Sequence, residues 1–396
     1  MKMLVIAHDI PYPPTHGGRV DMWRRLNLLH KNGAEIFLVT WSYQTVDEDS
    51  RRALASICSK FYVLPIRKTW KHRLPRLKYL ATLPLYEAIR AVRPNCWRDI
   101  RDSLEEFLPT IIWLDGLYGG TLALELSDHL KIPIYYRTHN IEHRYMQILS
   151  EEASTNRARL AAWIGCWRLL SFEEKIMNSS VHIFDVSIDD ASFWFSKGYR
   201  KVTYLPPIAP LISNNYDIIK PTYDIVFLGN LHVANNKSGV KWLLEEIMPE
   251  VWRNRPATTL LVAGSNPSEQ LARLGEKDNR ITLVADPDDA IETLLMGYVL
   301  INPVRKGSGV SIKTIDMLAT GRPFVSTPQG IMGLHPKTRK YIHVGNDTVE
   351  LASLLVRLRE NIGKDDNTQF HSMDPYTSSY VVEQLKKYIP ELTLSS

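Results

Sequence analysis

Three short runs in this chain of 396 residues combine the residue types that hold phosphates or move protons. The first is Asn302-Pro303-Val304-Arg305-Lys306-Gly307-Ser308-Gly309-Val310-Ser311-Ile312-Lys313, which follows a strand-like apolar stretch and opens a helix-like one. Free N–H groups at a helix start point along the positive end of the dipole and attract anions. Gly307 and Gly309 let a phosphate approach that backbone, while Arg305, Lys306 and Lys313 offer countercharge. The run is not an NTPase phosphate loop, because Ile312 stands where that loop has the glycine before its lysine. The second run, Gly17-Gly18-Arg19, again lies between strand and helix but lacks the G-x-G-x-x-G spacing of a dinucleotide fold. The third, Tyr136-Arg137-Thr138-His139-Asn140-Ile141-Glu142-His143, sets His139, Asn140 and Glu142 just after a strand, as a sugar-binding or acid–base site needs. His143 reads as structural. His139 and Glu142 could ligate a metal, but no third ligand stands at useful spacing, so no metal is expected.

The elements that must position these runs alternate along the chain. Residues 3–7 and 36–40 read as buried parallel strands around a helix over 19–31, with Pro11, Pro13, Pro14, Gly17 and Gly18 excluding regular structure between. Further strands are expected over 111–114, 134–136 and 181–185, with a helix over 120–130. The stiff Leu205-Pro206-Pro207-Ile208-Ala209-Pro210 segment then marks a domain boundary. Beyond it, strands over 224–228, 259–263, 280–284, 298–302 and 323–326 alternate with helices over 238–252, 288–295 and 310–320. This grammar predicts two doubly wound α/β domains in tandem, with one ligand between them at the strand C-termini. The expected division is an N-terminal domain over 1–205, a linker over 206–221 and a C-terminal domain over 222–373. A last segment, 374–396, contains a helix that packs back on the N-terminal domain.

Composition narrows the classes. The 48 Lys and Arg against 43 Asp and Glu leave a net charge of +5, too mild to indicate nucleic acid, and the 44% hydrophobic content excludes a disordered chain. Three dispersed cysteines, Cys58, Cys96 and Cys166, form neither a disulfide framework nor a zinc site. The N-terminal apolar run is too short for a signal peptide and no stretch is long enough to span a membrane, so a cytoplasmic protein is expected. One segment, 67–78, holds Arg67, Lys68, Lys71, Arg73, Arg76 and Lys78 with no acid, interleaved with Trp70, Leu74 and Leu77. It reads as a solvated face or as a patch drawn to anionic lipid at the inner face of the cell membrane; nucleic acid is the third and least favoured reading, since no recognised binding motif accompanies it. On the second reading, charge reversal at Arg67, Lys68, Lys71 and Arg73 abolishes co-sedimentation with anionic liposomes; binding that persists assigns the patch another purpose.

Four motifs in order resemble one family. Residues 307–323 resemble the nucleotide-sugar segment of GT-B glycosyltransferases of the family 4 type. The P-x-P-P-x-x-G-G-R pattern over 11–19 is similar to that family's N-terminal glycine loop, and His139-Asn140-Ile141-Glu142 to its sugar-facing histidine motif. Phe227-Leu228-Gly229-Asn230 resembles the first strand and loop of its donor domain. The resemblance implies a metal-independent hexosyltransferase that retains anomeric configuration. The donor would be a UDP- or GDP-sugar, the acceptor a glycan or a lipid-linked sugar, and the pathway surface polysaccharide synthesis.

Residue by residue, it implies that His139 contacts the donor sugar, Asp316 accepts from the ribose hydroxyls, and Gly17 and Gly18 lie against the diphosphate. It also places Gly229, Asn230, Lys237, Gly264, Val284, Gly307, Gly309 and Val310 around the nucleotide, and Arg19, Asn140 and Glu142 toward substrate. Lys313 is a candidate catalytic residue that stabilises the departing diphosphate. Two positions depart from the pattern: Ser308 stands where many members have a carboxylate, and Asn230 where arginine is frequent. Lys313, Arg305 or Lys237 could replace the lost arginine. A sugar-nucleotide epimerase on the same scaffold and a non-catalytic sugar-nucleotide-binding protein stay open as alternatives.

Overall fold

The computed structural model describes residues 1–66, 78–91, 96–151, 155–212, 216, 219–267, 271, 278–307, 309–361 and 370–393. Arg67 to Leu77 and Ser308, all singled out in the sequence, lie outside the described residues. The chain divides into two compact units. Met1–Pro14, Gly18–Leu205 and the residues from Val382 onward form the first, Thr15–Gly17 and Pro206–Val381 the second.

The first unit is built on a sheet of seven parallel strands: β1 (Lys2–Ala7), β2 (Glu35–Ser42), β3 (Lys60–Pro65), β4 (Ile111–Asp115), β5 (Ile134–Thr138), β6 (His182–Asp185) and β7 (Val202–Tyr204). Their order across the sheet is β3-β2-β1-β4-β5-β6-β7. Helices cover both faces, so β1 and β4 are buried along nearly their whole length, as their unbroken apolar runs require. Near the C-terminus, Tyr388 stacks on His182 with ring centroids 4.0 Å apart.

The second unit carries six parallel strands: β8 (Tyr223–Leu228), β9 (Leu260–Gly264), β10 (Ile281–Ala285), β11 (Gly297–Asn302), β12 (Phe324–Ser326) and β13 (His343–Val344). Their order is β10-β9-β8-β11-β12-β13. In each sheet the winding reverses once, at β1/β4 and at β8/β11. At such a reversal the loops leaving the strand C-termini diverge to opposite faces, which is where sheets of this kind bind ligands.

Several boundaries differ from the sequence expectation. Strands β3, β7 and β13 have no counterpart in it; β7 and β13 are three and two residues long, too short to display a period. The helix expected over 238–252 is three pieces: Ala234–Trp242, a π-helical stretch Leu243–Ile247, and Met248–Asn254. Pro249 explains the break, since it has no N–H to donate and its ring clashes with the carbonyl four residues back. The first crossover helix, Gly17–Lys31, begins two residues earlier than expected, so Gly17 and Gly18 form its first turn rather than a loop.

Candidate active site

In the first unit, polar residues replace apolar ones where β1, β4 and β5 end. Asp115 closes β4 and is 1% exposed. Its Oδ1 lies 2.6 Å from His139 Nε2, while its Oδ2 accepts from Trp113 Nε1 at 3.2 Å and from Arg25 Nε at 3.4 Å. Arg25 also pairs closely with Asp21, and Arg137 donates to Asp21 at 3.3 Å and to the Leu205 carbonyl. Two carboxylates and two guanidiniums are thus buried together with their charges balanced, a condition for keeping ions out of water. Burial alone would raise the Asp115 pKa; Arg25, then His139 and Arg137, overcome that and hold the carboxyl ionised, well below its usual range. An ionised carboxylate can only accept, so the His139 proton sits on Nε2.

Next to this quartet, His8 Nδ1 lies 3.1 Å from the Asp115 carbonyl oxygen and its ring meets His139 edge-on at 5.5 Å. Burial, followed by the neighbouring His139, lowers the His8 pKa to about 4, so it is a neutral donor at physiological pH. Gly116 makes room for it: with φ +89°, a Cβ there would fall 2.4 Å from His8 Nδ1. The second carboxylate site lies at the start of the helix Glu142–Glu151. Glu142 accepts from Tyr118 Oη at 3.1 Å and faces Asn140 Nδ2 at 3.5 Å. Glu173 caps the helix, accepting from the Glu142 N–H at 2.9 Å and lying 2.6 Å from His143 Nδ1. Burial, then the Glu173 charge, raises the Glu142 pKa to about 7, where a carboxyl group can both give and take a proton.

In the second unit, the loops after β8 and β11 meet the helix Ile312–Ala319. Gly307 and Gly309 have φ of +150° and +66°, and the Gly307 carbonyl accepts from Gln329 Nε2 at 3.1 Å. Ser311 precedes the helix without capping it, its Oγ lying instead 3.5 Å from Asn302 Nδ2. The first-turn N–H groups therefore have no side-chain acceptor from the cap. Lys313 Nζ donates to Asn236 Oδ1 at 2.7 Å and lies 4.5 Å from the Phe227 ring centre. Asn236 is itself fixed, since its Nδ2 donates to the Asn230 carbonyl at 2.8 Å. Burial alone pulls the Lys313 pKa down to about 7, and among the described residues no carboxylate stands within ion-pairing reach. A half-buried ammonium without a counterion, beside a glycine loop and an open helix start, is suited to an anionic ligand.

Residues 222–361 match the family model described as glycosyl transferases, group 1. This part of the chain is a glycosyl transferase group 1 domain. Over its whole length the chain has the GT-B fold of two Rossmann-like domains, shared with several solved structures. HepE of Anabaena in complex with UDP superposes with a TM-score of 0.64 at 12% identity, covering 99% of this chain and 100% of that one. A TarM variant of S. aureus, solved with Fondaparinux, alpha-GlcNAc-glycerol and UDP, gives 0.66 at 10% identity, covering 98% and 99%. In sequence, the chain is 25% identical over 397 residues to an uncharacterized 44.6 kDa protein in the cps region of Klebsiella pneumoniae, covering 96% of each.

Within the group 1 domain, Gly307, Gly309, Val310 and Lys313 come together at the β11 loop, while Asp316 lies one turn further along, only 9% exposed. Asn230 is occupied locally, its Oδ1 accepting from the His232 N–H at 2.9 Å, and Lys237 is exposed. Gly264 has a steric reason to be glycine: a Cβ there would fall 1.7 Å from the Gly229 carbonyl oxygen. Val284 is half-buried near the end of β10. In the first unit Arg19 is held by Asp9, with Nε–Oδ2 2.7 Å and Nη2–Oδ1 3.0 Å.

Sequence reasoning missed His8, Asp21, Arg25, Asp115, Glu173 and Asn236. The available signal was Asp115 itself, a lone carboxylate ending an otherwise apolar strand of a parallel sheet. Asp21 and Arg25 carry none, because an i, i+4 ion pair on a helix ordinarily reads as a solvated face.

Proposed function

We propose that this chain is a retaining hexosyltransferase, which moves a sugar from a UDP- or GDP-sugar to a glycan or lipid-linked acceptor in surface polysaccharide synthesis. The observation that carries this reading is Lys313, a desolvated ammonium without a carboxylate partner in the group 1 domain. A nucleoside diphosphate supplies the missing negative charge, and more of it develops as the sugar leaves, so Lys313 stabilises the transition state more than the ground state. The helix start behind Gly307 and Gly309 adds amide donors to the same anion. His139, oriented by Asp115, contacts the donor sugar, and Glu142 orients an acceptor hydroxyl. The acceptor attacks on the face from which the diphosphate departs, and a phosphate oxygen takes its proton. The UDP complexes of HepE and TarM support the donor class, and the cps-region relative supports the pathway.

The test is donor binding and its pH dependence. Among a panel of sugar nucleotides, the true donor is expected to raise the melting temperature through mass action. Bound diphosphate raises the pKa of Lys313 above its free value of about 7. Binding therefore takes up a proton over that window, and affinity falls as pH rises above about 7, by up to about tenfold per unit. Calorimetry in two buffers of different ionisation heat at about pH 8 reads the proton directly. A pH-independent affinity with no proton uptake removes Lys313 from the site. Donor binding with isomerisation of the sugar, or with no turnover at any acceptor, would favour the epimerase or the non-catalytic reading.

A further inference from the structure

The helix Asn156–Cys166 presents its residues the opposite way from a core helix. Leu160, Trp163, Ile164 and Trp167 follow the i, i+3, i+4, i+7 spacing that normally marks a buried face. Here that face is 57, 61, 41 and 55% exposed, and Leu170 extends it at 44%. The opposite side is narrow and packed. Ala162 and Gly165 are buried, and a Cβ on Gly165 would fall 2.5 Å from Met146 Cε. The helix thus docks through its small residues and leaves two indole rings in water, an arrangement that soluble surfaces avoid unless something covers it.

Charge indicates the cover. Between residues 155 and 172 stand Arg157, Arg159 and Arg168 and no Asp or Glu, and all three arginines are exposed. The Arg168 guanidinium lies 5.6 Å from the Trp167 ring centre. A second copy of the chain meeting this face about a two-fold axis would set the arginines against one another. An anionic bilayer pairs with both components, taking indole rings at the acyl boundary and guanidiniums among the phosphates. The helix is 11 residues long, and among the described residues no helix is long and apolar enough to cross a membrane, so the contact lies on the surface.

We propose that the face formed by Leu160, Trp163, Ile164 and Trp167, flanked by Arg157, Arg159 and Arg168, seats this protein on an anionic lipid surface. The proposal is independent of the sugar-transfer reading and distinct from the basic segment 67–78. It is tested by flotation of the full-length protein with vesicles of phosphatidylcholine, with and without phosphatidylglycerol. The parent chain floats with the mixed vesicles. Trp163→Ser with Trp167→Ser lowers the bound fraction about tenfold or more, at low and at physiological salt. Leu160→Ser with Ile164→Ser, on the same face, repeats the loss, and both variants keep the parent melting temperature because the altered side chains are exposed. The triple change Arg157→Gln, Arg159→Gln and Arg168→Gln removes the salt-sensitive part only. Parent protein that stays at the bottom of the gradient overturns the proposal, as does a tryptophan variant that floats like the parent. A concentration-dependent dimer that the tryptophan variant dissolves overturns it too, making this face a contact between copies.

Discussion

Lys313→Met is expected to lower sugar transfer about 100-fold while making the unliganded protein more stable. Both effects have one cause. In the folded chain, burial holds the Lys313 pKa near 7, whereas in the unfolded chain it has the ordinary value of 10.5. Between those values the unfolded state binds more protons, so stability rises with pH across the window, and below about pH 7 the full burial penalty is present. Methionine keeps much of the stem's volume and the contact with Phe227 but removes the charge, so the penalty disappears and the pH dependence flattens. Turnover falls because, among the described residues of the β11 loop, no other cation is buried beside the helix start: Arg305 and Lys306 are exposed, and the Arg305 guanidinium lies over Trp242 at 4.6 Å. Thermal melts at several pH values, together with turnover at saturating donor, separate this from a purely structural lysine. A structural role predicts lower stability with turnover largely kept. Equal melting curves and equal turnover would dismiss the residue altogether.

How much of this was legible in the sequence depends on range. The strands nearest the switch points, β1, β4, β8 and β11, announce themselves as short apolar runs because parallel central strands are buried on both faces. The glycine run 307–309 and Lys313 are legible for the same local reason: a strand, a turn and a helix start are contiguous in the chain. The quartet of Asp21, Arg25, Asp115 and Arg137 is not, since its members come from a helix and two strands spread over more than a hundred residues. Only the sheet order, which sets β4 between β1 and β5, brings them together. Arg19 shows the converse failure. Its place in the glycine loop pointed to substrate, but Asp9, just after the first strand, claims its guanidinium. The inverted Asn156–Cys166 helix misleads a pattern reading altogether, because its spacing is that of a core face and only the fold shows that the face looks outward.

Asp115→Asn is expected to destabilise the protein by about 3–5 kcal/mol. The asparagine is nearly isosteric and can still accept from Trp113 and Arg25, so packing is not the reason. The loss comes from leaving Arg25 and Arg137 with one carboxylate between them in a region from which water is excluded. Arg137 already shows the tension, for burial, followed by the nearby Arg25 charge, lowers its pKa to about 10. The linkage has a definite sign. Asp115 has a folded-state pKa far below its ordinary 3.8, so its contribution is complete above that value and is lost as pH falls below it toward the folded pKa. Urea titrations at neutral pH should therefore show the full deficit, and the gap between parent and variant should narrow below about pH 4. Pairing Asp115→Asn with Arg25→Met restores the charge balance and is expected to recover most of the loss, because neutral residues replace a buried pair without leaving an orphaned ion. His139→Ala provides the contrast: it removes a ring at the rim of the quartet and is expected to spare the fold while reducing transfer. If Asp115→Asn instead melted like the parent at neutral pH, the quartet would not be held together by charge, and the orientation of His139 would need another cause.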